Sequence, residues 1–77
     1  MEDILVIDVS GSTPNGRGTM TFKSRPIRGE WIEIVEEGTA AMFEVVMVAH
    51  STVGAGHDLY VRRIDATALA IKSICAG

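Results

Sequence analysis

With 77 residues, 47% of them apolar, only 5% aromatic and a net charge of −3, the chain has room for one domain around one aliphatic core. Its longest apolar runs fall short of the ~20 residues that cross a bilayer as a helix, which excludes a helical membrane protein, and the acidic balance argues against a general nucleic-acid binder. The single cysteine, Cys75, cannot form an internal disulfide, and no basic leader precedes an apolar stretch with a cleavage site, so a reducing cytoplasm is the expected setting.

The first expected strand covers residues 3–10, where Ile4, Leu5, Val6, Ile7 and Val9 form a run too apolar for a strand wetted on one face, hence a central one. Residues 11–18, G-S-T-P-N-G-R-G, read as a turn or loop, because Pro14 presets φ and Asn15-Gly16 tolerates φ > 0. Alternation resumes over residues 19–24, with Met20 and Phe22 opposite Thr19, Thr21 and Lys23, giving a second strand antiparallel to the first. Arg25-Pro26-Ile27-Arg28-Gly29 breaks the pattern, since Pro26 lacks a donor and pushes Arg25 toward extended geometry. Residues 31–36 then place Ile32 and Ile34 against Trp31, Glu33 and Val35, and the glycine-containing turn at 36–39 joins this third strand to the next as a hairpin.

The longest strand signal is residues 40–50, A-A-M-F-E-V-V-M-V-A-H. Simple alternation puts Phe43, Val45, Met47 and Ala49 on one face and Met42, Glu44, Val46, Val48 and His50 on the other, so both faces need cover. A glycine-containing loop is expected at 51–57. A fifth strand at 58–64, with Leu59, Val61 and Arg63 opposing Tyr60, Arg62 and Ile64, carries enough charge to lie near an edge. Asp65 is the expected N-cap of an alanine-rich helix over 66–75, although the apolar pattern there also permits a strand. Together these elements predict a mainly β protein: a small five-stranded antiparallel barrel filled by Phe43, Val45 and Met47. Leu69, Ile71 and Ile74 of the C-terminal helix would form a lid over Val46 and Val48, unless a homodimer covers them.

From Phe22 to Ile64, the segments R-P-I-R-G-E-W-I-E-I, F-E-V-V-M-V-A-H-S and D-L-Y-V-R-R-I resemble short uncharacterised bacterial proteins with a small SH3-like barrel. The resemblance implies a fold, but no catalytic residue and no cofactor. A shorter likeness joins Asp8-Val9-Ser10-Gly11-Ser12 to the D-x-S-x-S metal motif of von Willebrand factor A domains. Those are doubly wound α/β domains more than twice as long, with further Thr and Asp ligands on distant loops. Here the motif is read as a polar loop after a strand, with no metal assigned.

Other chemistry is thinly represented. His50, His57 and Asp58 converge if the fourth and fifth strands pair, a set zinc accepts only with further ligands, so two exposed loop histidines are expected instead. Ser10 or Ser51 with His50 or His57 and Asp8 or Asp58 makes a triad on paper, but no G-x-S-x-G elbow supports it, and the chain is read as non-enzymatic. Cys75, with only Lys72 near it in sequence, reads as a partly buried structural thiol. The remaining candidates are the basic residues Arg17, Lys23, Arg25, Arg28, Arg62 and Arg63: one of Arg62 and Arg63 beside Arg25, Arg28 and Trp31 would make a cationic patch with an aromatic platform, and His50 and His57 are further binding candidates. Cross-strand pairing with Glu30, Glu33, Glu36 and Glu44 would neutralise the patch. The expected function is a protein-binding or self-associating module presenting these residues and the 51–57 loop; the alternative is a nucleic-acid-binding barrel using the same arginines and Trp31.

Overall fold

Period-two alternation becomes pleated backbone wherever the sequence offers it. The computed structural model describes residues 1–50, 52 and 57–75. Five strands, β1 (Glu2–Asp8), β2 (Asn15–Phe22), β3 (Trp31–Glu36), β4 (Thr39–His50) and β5 (His57–Ala66), precede one helix, α1 (Thr67–Cys75). They form one sheet in the order β2-β1-β5-β4-β3, curled into a half-barrel. Ile4 and Val6 of β1, Ile32 and Ile34 of β3, Ala41, Phe43 and Val45 of β4, and Leu59 and Val61 of β5 fill its inside, with Met20 and Phe22 of β2 packed against them. Each of the fully buried Val6, Val45, Leu59 and Val61 side chains contributes roughly 1.5–3 kcal/mol by leaving water. Among the described residues no helix is long and apolar enough to cross a membrane.

Two features of the sheet differ from the expected antiparallel barrel. β1 pairs with β5 in parallel, Leu5 opposite Asp58 through Asp8 opposite Val61, whereas β1–β2, β3–β4 and β4–β5 are antiparallel. Alternation records which residues share a face; it carries no information on the direction of neighbours remote in sequence. β5 is also central rather than near an edge. Its charges are tolerated there because Arg62 and Arg63 are exposed, while Leu59 and Val61 carry the core. The edges are β2 and β3.

Register shifts mark where simple alternation fails. On β2, Val6 faces Gly18 but Ile7 faces Gly16, so Arg17 is an extra residue, and Gly18 takes up the bend at φ 89°. The strand therefore starts at Asn15, inside the segment expected to be loop, because the glycines serve a bulge rather than a turn. On β4, Val45 pairs with Val61 and Met47 with Tyr60, leaving Val46 as the extra residue. That insertion exchanges the faces beyond it: Val48, opposite the fully buried Leu59, packs on the core, and Met47 is 48% exposed. The expected inward Met47 and outward Val48 are thus reversed.

The β3–β4 connection is a tight hairpin with Glu36 paired to Thr39 and both intervening residues at positive φ, Glu37 at 51° and Gly38 at 78°. That geometry suits Asn-Gly, and Glu37 is the strained member. Glu37→Asn is expected to stabilise the protein by ~0.5–1 kcal/mol, readable as a rise in thermal midpoint of a few degrees.

The C-terminal segment is a helix, anchored to β4 and β5 chiefly through Ala70, which is 1% exposed. Leu69, Ile71 and Ile74 are 55%, 46% and 61% exposed and do not form the expected lid. The reason lies in β4: Val48 is already inside, so that face needs less cover. Asp65 does not cap the helix as expected, since its carboxylate accepts from the N–H of Ala66, one residue on, at 2.8 Å. Cys75, at the last helical position, is exposed rather than partly buried.

Candidate binding groove

Residues 25–30 have no regular structure of their own, and the sequence ties them down by other means. Pro26 is buried. The Glu30 carboxylate accepts from the N–H of Ile27 at 2.8 Å, and the Glu30 N–H donates to the Ile27 carbonyl at 3.1 Å. Gly29, at φ 93°, donates to the Val45 carbonyl at 2.8 Å, and the Val45 N–H donates to the Glu30 carbonyl at 2.9 Å. This strap holds the Arg25–Arg28 segment against β4, just where the Val46 bulge turns Met47 outward. Between them lies a groove of about 450 Å³ lined by Arg25, Pro26, Ile27, Arg28, Met47, Val48 and His50. The volume falls within the roughly 300–1,000 Å³ typical of ligand pockets. The lining combines two arginines with aliphatic side chains, of which Ile27 and Met47 are exposed.

His57 lies beside the groove and holds Arg25. His50 and His57 are register partners, and their rings meet edge-to-face with centroids 4.6 Å apart. Arg25 Nη1 donates to His57 Nε2 at 2.6 Å. A guanidinium has no acceptor, so in this contact the imidazole nitrogen accepts. Arg25 therefore finds a positioning partner but no countercharge, and neither Arg25 nor Arg28 has a carboxylate partner within ion-pair distance among the described residues.

The other arginines are placed differently. Arg62 pairs with its cross-strand neighbour Glu44 at 2.9 Å, and Trp31 faces the same Glu44 from β3, giving a row of Trp31, Glu44 and Arg62 across three strands. Neither Trp31 nor Arg62 lines the groove. Because the Arg62 side chain is 62% exposed, its pair is worth ~0–1 kcal/mol. Arg62→Ala is expected to shift the urea midpoint by an amount close to experimental error. Arg63, also outside the groove, is exposed and donates its backbone N–H to Ser10 Oγ at 2.7 Å. Of the expected 51–57 loop, residues 51 and 53–56 lie outside the described residues.

The most heavily bonded polar cluster joins Asp8 and Ser10 to Arg17, which is thereby withdrawn from the expected basic surface. Asp8 is 7% exposed, and its Oδ1 accepts from the backbone N–H and the hydroxyl of Ser10, at 2.9 and 2.6 Å. Its Oδ2 accepts from Arg17 Nη2 at 3.0 Å. Arg17 also pairs with Glu36 on β3 and lies over the Phe43 ring at 5.6 Å, so it links the two sheet edges across the core. Burial pushes the Asp8 carboxyl up, but the hydrogen bonds from Ser10 and Arg17 and the guanidinium charge outweigh that and hold it below its ordinary 3.8. The D-x-S segment here forms an Asp8–Ser10 turn that is ion-paired to Arg17. The N-G-R-G spacing that forms the bulge was the available sign that Arg17 is turned inward.

These arrangements also occupy three members of the paper triads, Asp8, Ser10 and His57, while Ser51 lies outside the described residues. Ser10 Oγ is engaged by Asp8 and by the Arg63 N–H, and His57 Nε2 by Arg25. Among the described residues no group of three or more His, Cys, Asp or Glu side chains is close enough to hold a metal ion. Compared with known proteins, the chain matches no protein-family model, no curated protein and no solved structure.

Proposed function

We propose that this chain is a non-enzymatic binding module, at the level of fold a small SH3-like half-barrel working in the cytoplasm, whose Arg25–Met47 groove receives a segment of a protein partner. One observation carries the reading: a groove of about 450 Å³ in which two arginines lacking carboxylate partners among the described residues stand beside exposed Ile27 and Met47. Partner contacts are built this way, with apolar surface supplying affinity and charges fixing orientation. The exposed Leu69, Ile71 and Ile74 of α1 offer a second apolar surface through which an assembly could extend, including with another copy of the chain. The nucleic-acid alternative draws less support, because Arg17 and Arg62 are already paired with carboxylates and Trp31 lies in a different row from Arg25 and Arg28.

The test compares capture of partners from the native host by the wild-type chain and by Arg25→Glu/Arg28→Glu. A partner retained by the first and lost by the second supports the reading. Equal recovery by both, or a strict monomer that retains nothing, would overturn it.

A further inference from the structure

Accepting that the groove is a protein-binding site, we propose that it recognises an acidic peptide segment in which a carboxylate side chain stands next to a large apolar one. Charge complementarity carries the argument. Among the described residues Arg17 and Arg62 are ion-paired, whereas Lys23, Arg25, Arg28, Arg63 and Lys72 are not, and of these five only Arg25 and Arg28 line the groove. Arg25 and Arg28 are not paired with a carboxylate among the described residues, although both lie on a segment tied rigidly to β4. The group in contact with Arg25 is an accepting imidazole, which aims the guanidinium without cancelling its charge. A guanidinium held in this way binds a carboxylate bidentately.

The aliphatic wall selects what accompanies that carboxylate. Ile27 is 62% exposed and Met47 48% exposed on the same groove, beside buried Pro26 and half-buried Val48. A small inorganic anion would satisfy the arginines and leave this wall wet. A peptide with alternating apolar and acidic side chains covers the wall and neutralises the arginines together. Met47 suits the role because an unbranched thioether adapts to differently shaped apolar side chains.

The probe is a capped hexapeptide of alternating leucine and glutamate, titrated into the isotopically labelled chain at low salt. Its controls are the same peptide with glutamine for glutamate, the same with glycine for leucine, and inorganic phosphate. Expected are shifts in the resonances of Arg25, Arg28, Met47 and His50, at least ten-fold weaker binding by Arg25→Gln/Arg28→Gln, and several-fold weaker binding by Met47→Gln. Both variants change exposed or groove-lining side chains, and unshifted core resonances will verify that they fold. Binding of the glutamine peptide as tight as that of the glutamate peptide overturns the proposal. So does phosphate acting as well as the peptide, or no response at millimolar peptide. A partner that contacts the groove through a segment lacking acidic residues also overturns it, while leaving the binding-module reading intact.

Discussion

Asp8→Ala is expected to lower stability by ~3 kcal/mol, the cost of removing a buried carboxylate that accepts three hydrogen bonds, leaving the Ser10 N–H without its acceptor and Arg17 with Glu36 alone. For a domain of this length, whose whole stability is of order 4–12 kcal/mol, that corresponds to a fall in thermal midpoint of roughly 12 °C or more. Arg17 is the bulge residue that reaches from β2 to β3 over Phe43, so its disorder would loosen the seam where the sheet does not close. Asp8→Ala/Arg17→Met should be more stable than Asp8→Ala alone, because the second change removes a guanidinium that has lost its buried partner and keeps apolar cover on the ring. A double variant no better than the single one would show that the ion pair is not the source of the loss.

The same pair fixes a pH dependence. The Asp8 carboxyl is depressed in the folded state, so its contribution is fully present above the unfolded value near 3.8 and is lost as pH falls through the lower folded value. Urea unfolding at neutral pH and at stepwise lower pH should show the wild type losing stability below about pH 4. Asp8→Asn should start less stable and show a shallower slope over that window.

A second large effect separates the two faces of β4. Val48→Asp is expected to cost roughly 2–3 kcal/mol, because it places a carboxylate opposite the fully buried Leu59. Met47→Asp should cost less than ~0.5 kcal/mol, since Met47 is 48% exposed and borders Arg25 and Arg28. Uninterrupted alternation demands the reverse order. Chemical denaturation of the two variants therefore reads the Val46 bulge directly: equal losses, or a larger loss at Met47, would contradict the register.

The outcome for β4 shows what was legible in the sequence. The placement of five strands, the Glu37-Gly38 hairpin and the terminal helix followed from local features, namely alternation, turn residues and alanine content. Ile32 and Ile34 faced the core as alternation required, because β3 has no bulge. β4 followed the same rule only as far as Val45. A bulge needs no special residue type, and V-V-M-V reads as regular strand whichever residue is left out of the ladder. The parallel β1–β5 pairing was hidden for a different reason, since strand direction depends on the route of the chain through space.

The groove was legible in its residues but not in its composition. Arg25, Arg28, His50 and His57 were named from charge and position, and β4–β5 pairing does bring the histidines together. Trp31 and Arg62 joined them on paper as neighbours in a hypothetical patch, yet cross-strand register places both beside Glu44. Ile27 and Met47, which form the apolar wall, carried no signal. One sits in a proline turn, and the other was assigned to the core.

The most direct test of the account is site-specific photocrosslinking in the native host, with the photoreactive residue at Met47 and, in a second version, at Val35, an equally apolar side chain that is 62% exposed on β3 outside the groove. A discrete protein adduct is expected from position 47, disappearing when Arg25 and Arg28 are changed to glutamate, and none from position 35. An adduct from position 35 with none from position 47, or one at position 47 indifferent to the arginines, would contradict it.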